Sequence, residues 1–230
     1  MSELPTIHPE PRMLIDGKLV EAESGKTFDV INPANSQIVG QVADGSHADM
    51  ARAIDAARNA FDNTDWAFNR EFRKHCLQQL QAALEEEQEE LRETLIQEVG
   101  APRMLTDSAQ MKAPLETSFN YPIKLIDEFE WERDLGEAIN IQGKLDHRKF
   151  VKMAAGVVGA IVPWNFPFEV ASIKLGATLA TGNTVILKAA PDTPFNATLI
   201  GRLIAEKTDI PPGVVNIVTT SDNMVAEDLT

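Results

Sequence analysis

Cysteine is nearly absent: Cys76 is the only one in 230 residues, which excludes an intrachain disulfide framework. Apolar runs are short, and none reaches the roughly 18 residues that a membrane-spanning helix needs. The polar, proline-bearing opening MSELPTIHPEPR does not read as a signal peptide. Basic clusters are also missing. Lys and Arg number 21 against 35 Asp and Glu, a formal charge of -14, whereas a nucleic-acid binder needs clustered cations to neutralise phosphate. The histidines His8, His47 and His147 lie far apart with no metal-ligand spacing. A GxGxxG loop, which would mark a dinucleotide site, is not there. What remains is a globular, cytoplasmic type of protein, with 43% hydrophobic residues to build a core.

Residues 13 to 43 read as short strands between turn signals at Asp16-Gly17, Ser24-Gly25 and Asn32-Pro33. A helix is expected from Ser46, where Ser46 and Asp49 form a capping pair and Met50, Ile54, Ala57 and Phe61 an apolar stripe. A longer helix is expected over Arg70 to Val99, with leucines inward, the acidic run Glu85 to Glu90 outward, and Gly100 and Pro102 as its stop. Ala109 to Glu132 reads as helical, with Pro114 and Pro122 blurring its limits. Leu135 to Val151 alternates around Gly143 and suits a β-hairpin.

The last eighty residues are the most regular. Val157 to Val162 reads as a buried strand, Phe168 to Thr181 as a helix, Thr184 to Lys188 as a strand, Thr193 to Lys207 as a helix and Val214 to Thr219 as a strand. That order, βαβαβ, predicts a parallel sheet whose ligands sit beyond the carboxyl ends of the strands. Asn165 and Lys188 fall at that edge. An amide there is a neutral donor for a developing oxyanion, and a lysine suits ribose hydroxyls or phosphate. Position alone equally allows Asn165 to satisfy turn amides and Lys188 to be a solvated strand end.

The run PWNFPFEVASIKLGATLATGNTVILKAAPDTP, Pro163 to Pro194, followed by DIPPGVVNIV and preceded by IDGKLVEAESGKTFDVINPA, resembles the aldehyde dehydrogenase family over nearly the whole chain from Leu14. The resemblance implies an α/β fold: a parallel Rossmann-like sheet with flanking helices, incomplete here, plus a β-hairpin oligomerisation excursion. It implies three segments: amino-terminal strands and helices of the cofactor domain at 13–135, the excursion at 136–153, and the βαβαβ part at 154–230, with no catalytic domain.

For chemistry, the resemblance implies NAD(P)-dependent oxidation of an aldehyde to a carboxylic acid through a cysteine thiohemiacetal. Asn165 would be the oxyanion donor, held still by its prolines and Trp164. Lys174 would assist a proton relay, and Lys188 would hold the adenine ribose. Ile161, Pro163, Trp164 and Asn165 would border the nicotinamide ribose, with Pro191 on the cofactor side. Three departures stand out. Ala189-Ala190-Pro191 replaces the Pro-Ser-Glu or Pro-Ala-Glu that follows the family's lysine, which leaves NAD or NADP open. TTSDNMVAEDLT carries no glycine. The family's nucleophilic cysteine, general-base glutamate and GSTxxG loop come later than Thr230.

Cys76, on an amphipathic helix, reads as packing rather than as that nucleophile. The 230 residues alone are therefore expected to be inactive as a dehydrogenase. The rival expectation is a non-catalytic dinucleotide-binding module or a fragment that joins longer subunits. The family's homo-oligomers, dimer or tetramer, are the implied partners, with no nucleic acid and no membrane.

Overall fold

The computed structural model describes residues 7–230; the opening residues 1–6, which begin the stretch tested above as a signal peptide, lie outside it. The amino-terminal strands are β1 (Met13–Ile15), β2 (Lys18–Val20), β3 (Thr27–Ile31) and β4 (Ile38–Ala43). Asp16 and Gly17 both take positive φ, 52° and 71°, so a two-residue turn joins β1 to β2 as an antiparallel hairpin. Helix α1 (His47–Asn63) starts at Ser46 with both halves of the capping box formed. Its buried face is Met50, Ala53, Ala57 and Ala60, turned slightly from the expected stripe, so that small residues lie against the sheet.

The long helix expected over Arg70 to Val99 is two: α2 (Arg70–Glu86) and α3 (Gln88–Val99), broken at Glu87. Gly100, at φ 71°, ends α3 in the left-handed conformation that only glycine adopts without cost. The stretch expected to be one helix from Ala109 to Glu132 is also divided. After α4 (Arg103–Thr106) come α5 (Lys112–Thr117) and α6 (Asn120–Glu128). Pro114 and Pro122 each sit at the third residue of their helix, where the lost N–H has no intrahelical partner. The hairpin then starts earlier than expected, with β5 (Glu132–Ile139) and β6 (Leu145–Val151) turning around Gly143.

The carboxyl-terminal part is β7 (Val157–Ile161), α7 (Pro167–Ala180), β8 (Thr184–Lys188), α8 (Phe195–Lys207), β9 (Val215–Val218) and a short 3₁₀ segment over Asn223–Leu229. β7, β8 and β9 are parallel as expected. The sheet as a whole is mixed, in the order β2-β1-β9-β8-β7, because β1 joins β9 antiparallel. Alternation then builds two cores. Leu14, Val185, Leu187, Val215 and Ile217 face α2, α7 and α8. Met13, Ile15, Ile186 and Val218 face α1 and the 3₁₀ segment.

One expectation fails in an instructive way. β7 was expected to be a buried strand, yet Gly159 and Ile161 are exposed and only Ala160 is buried. Among the described residues β7 pairs with β8 alone and so forms the edge of the sheet.

Candidate functional site

Register places the site. Ile161 lies opposite Lys188, and Lys188 opposite Val218, so the last residues of three parallel strands end level. Two bonds continue the ladder past the strand ends: Val162 N–H donates to the Lys188 carbonyl at 3.1 Å, and Ala189 N–H to the Val218 carbonyl at 3.1 Å. Three loops therefore leave the same edge, residues 162–166, 189–194 and 219–222.

The first of them carries Asn165. Pro167 is the first residue of α7, where a fixed φ and a missing N–H suit a helix start. Thr193 Oγ1 donates to the Trp164 carbonyl at 3.3 Å, and Gln110 Nε2 donates to the Asn165 carbonyl at 2.9 Å. The turn is thus held by its backbone, from two other elements. Trp164 itself is 60% exposed, so its ring does not pack against the turn in the way the expectation of a support for Asn165 requires. The Asn165 side chain is exposed and takes part in no hydrogen bond among the described residues, which leaves its amide N–H groups free to donate. Pro163 and Ile161 are exposed beside it. Sequence reasoning missed Gln110 and Thr193, since nothing in a local pattern marks a side chain that reaches 55 positions along the chain.

Lys174 lies on α7 and points back to the strand, donating through Nζ to the Ile161 carbonyl at 2.8 Å. It caps the carbonyl at the end of an edge strand. Lys188 is different: only 4% exposed, it donates to Asn223 Oδ1 at 3.2 Å. Burial lowers its pKa, and Asp192 works in the opposite direction. A buried ammonium with one acceptor in hand keeps two donors for oxygen atoms in the crevice. Pro191 is half-buried in the same loop as exposed Asp192. Asp192 follows directly on Pro191, which stands where the family's glutamate would be.

A buried acid anchors this edge from behind. Glu98, at the end of α3, accepts from Phe195 N–H at 2.7 Å, Asn196 N–H at 3.0 Å and Asn196 Nδ2 at 2.6 Å. It satisfies the free amides at the start of α8, the helix that the Lys188 loop enters. Desolvation outweighs those donors and pushes its pKa up to about 7.

Cys76 is fully buried in α2, and burial followed by the nearby Asp209 carboxylate pushes its thiol up to about 12. The adjacent His75 turns away to Asp209 at 3.3 Å. A thiol in that state is no nucleophile at neutral pH. Elsewhere, an apolar cleft of about 500 Å³ lies between α6 and α7, lined by Tyr121, Leu125, Phe129 and Ile173 among others. Its lining carries no ionisable side chain except Tyr121.

An open α/β sheet whose parallel strands deliver an amide and a buried lysine to one edge is a Rossmann-like nucleotide-binding arrangement. The comparisons make the class specific. Residues 19–230 match the model of the aldehyde dehydrogenase family, and the chain belongs to that family. The mitochondrial aldehyde dehydrogenase of Leishmania tarentolae is 34% identical over 218 residues, covering 91% of this chain and 40% of that protein.

Among solved structures, an indole-3-acetaldehyde dehydrogenase of P. syringae in complex with NAD+ and IAA superposes with a TM-score of 0.85 at 32% identity, over 97% of this chain and 44% of that one. An aldehyde dehydrogenase C from Pseudomonas syringae, complexed with NAD+ and octanal, gives 0.82 at 28% identity, over 93% and 41%. The chain spans about two fifths of the length of the relatives it matches. No helix among the described residues is long and apolar enough to cross a membrane.

Proposed function

We propose that this chain supplies the dinucleotide crevice and the oxyanion donor of an NAD(P)-dependent enzyme that oxidises an aldehyde to a carboxylic acid. The observation that carries the reading is the pairing at one edge of a free Asn165 amide with a buried Lys188 that has donors to spare. The cofactor, when bound, accepts the hydride. Its fit rests on the Lys188 ammonium, whose desolvation favours a partner with oxygen acceptors.

The residues then divide the work. Lys188 binds ribose hydroxyls, with Pro191 shaping the loop beside it. Ile161, Pro163 and Trp164 are the exposed surface against which the reactive end of the cofactor lies. Asn165 donates to the aldehyde oxygen as charge develops there, an interaction worth about 2.7 to 4 kcal/mol in the transition state. Lys174 keeps the end of the edge strand in place and serves proton movement beside Asn165. Cys76 is not the thiolate that adds to the carbonyl, given its burial and raised pKa. A cytoplasmic setting, which keeps thiols reduced, suits a reaction run by a thiolate.

Asp192 favours NAD over NADP, because a carboxylate near Lys188 repels a 2′-phosphate. For assembly, the reading takes 13–135 and 154–230 as one cofactor unit, supported by the β1–β9 pairing, and 136–153 as an excursion that meets another subunit. The hairpin pairs only with itself among the described residues and exposes Ile139, Ile141, Leu145 and Met153.

Titration with NAD+ tests the proposal. Lys188→Ala is expected to weaken binding by roughly tenfold or more, the worth of a charge-assisted hydrogen bond, while Asn165→Ala leaves affinity unchanged. Equal affinity of Lys188→Ala and the native protein overturns the cofactor assignment.

A further inference from the structure

The protein carries a formal charge of -14, yet one cleft is lined by cations. It measures about 380 Å³ and lies between the start of α2, the base of the β5–β6 hairpin and the Thr181–Gly182 turn. Arg70, Arg73 and Lys152 line it against a single carboxylate, Glu132.

Arg73 is the unusual member. Its side chain is 1% exposed, and no carboxylate pairs with it among the described residues. Of its five donors, one N–H, on Nη1, reaches the Trp66 carbonyl at 2.7 Å, and Nε is buried with no partner at all. The guanidinium carbon lies close to Gly182, where an added Cβ would approach it to 3.3 Å, so the glycine makes room for the charged group. Glu132 does not neutralise it. One Glu132 oxygen lies 3.9 Å from Arg70 Nη2 and the other 3.7 Å from Lys149.

A buried, uncompensated guanidinium is costly, and arginine does not escape the cost by losing its proton. Burial and then the neighbouring Arg70 lower the pKa of Arg73 to about 10. Arg70 leans over the Trp131 ring at 5.2 Å, and Lys152 over the Phe129 ring at 4.1 Å. Trp131 lines the cleft beside Arg70, whereas Phe129 borders the adjoining cleft, so Lys152 lines this one with its ammonium over a neighbouring ring; Arg73 is the most buried of the three cations.

We infer that this cleft binds a small tetrahedral oxyanion of the phosphate class, held by Arg73 from below and by Arg70 and Lys152 from the rim. The site is separate from the strand-end edge and does not depend on the dehydrogenase reading. A planar guanidinium with unpaired donors can donate charge-assisted hydrogen bonds to oxyanion oxygens.

The test uses the purified protein and inorganic phosphate, with sodium chloride at matched ionic strength as control. Phosphate is expected to raise the unfolding temperature saturably, and to broaden its own ³¹P resonance in the presence of protein. The rim double variant, Arg70→Ala with Lys152→Ala, is expected to bind phosphate at least about tenfold more weakly, from lost charge-assisted bonds. Because Arg73→Met removes a buried group and fails to fold if Arg73 is structural, the rim variant decides. A response to phosphate no larger than to chloride, or an undiminished response in the rim variant, overturns the site.

Discussion

β7 and β8 are each five residues long, lie side by side in register and end at the edge that holds the candidate site. They differ in neighbours. β8 has a strand on either side and all five of its residues are buried, including Lys188. β7 has a strand on one side only, and its end opens into a turn where Asn165 and Trp164 are exposed. The central strand therefore delivers a desolvated cation, and the edge strand delivers an accessible amide. Position in the sheet, more than residue type, sets what each terminal group can do.

The comparison is broken most forcefully by matched substitutions at two isoleucines. Ile186, 1% exposed in β8, is expected to cost 2–5 kcal/mol when replaced by alanine. Ile161, 48% exposed at the end of β7, is expected to cost under about 1 kcal/mol. Urea unfolding of the two variants measures the difference, and equal losses would mean that β7 is not an edge in solution.

The next effect comes from the acid behind the β8 loop. Because the folded pKa of Glu98 is raised, its contribution to stability is fully present below the ordinary carboxylate range and is lost as the pH rises through about 7. Between those limits the loss is roughly 3 kcal/mol. Glu98→Gln is expected to flatten the fall of stability with pH across that window in thermal unfolding; an unchanged slope assigns it to other groups.

Catalysis sharpens the same contrast. If the function proposed above holds, then in an enzyme that also supplies the thiolate Asn165→Ala is expected to lower kcat for aldehyde oxidation by roughly 10²- to 10³-fold with NAD+ affinity unchanged, whereas Lys188→Ala moves affinity first. The smallest effect is expected at Trp164→Ala. With its ring 60% exposed and the turn held by Thr193 and Gln110 through backbone carbonyls, stability shifts by no more than about 0.5 kcal/mol. A larger loss would restore the ring as the support of the turn.

Much of the architecture was legible in the sequence because it depends on local rules. The Ser46 cap, the Asp16-Gly17 turn, the Gly100 stop and the βαβαβ order all follow from neighbours within a few positions. The breaks at Glu87 and between α5 and α6 were less visible. The break at Glu87 falls in a run of helix-forming residues with no Gly or Pro to mark it. Burial of β7 was misjudged because Val, Ala and Ile patterns report residue type and not the number of strand neighbours.

At the candidate site, Asn165 and Lys188 are singled out by the motif, and the structure brings their strand ends to one edge of the sheet. Their supports Gln110, Thr193 and Glu98 are not marked by it, since each acts across a long sequence separation on a backbone group. The antiparallel entry of β1 beside β9 was equally hidden, being a pairing between opposite ends of the chain.

That pairing has a bearing on the order in which the molecule is assembled. Leu14 lies opposite Ile217, and the Asn216 side chain accepts from Asp16 N–H, 200 positions away. During synthesis the first hairpin is made early and finds its strand partner only after some two hundred further residues have been added. Until then its open edge has nothing of its own sheet to bind, and closing so long a loop is slow. The start of this chain is, in timing, among the last parts of the sheet to be secured, and a ribosome that paused before β9 would hold an unpaired hairpin exposed to any other chain with a free edge.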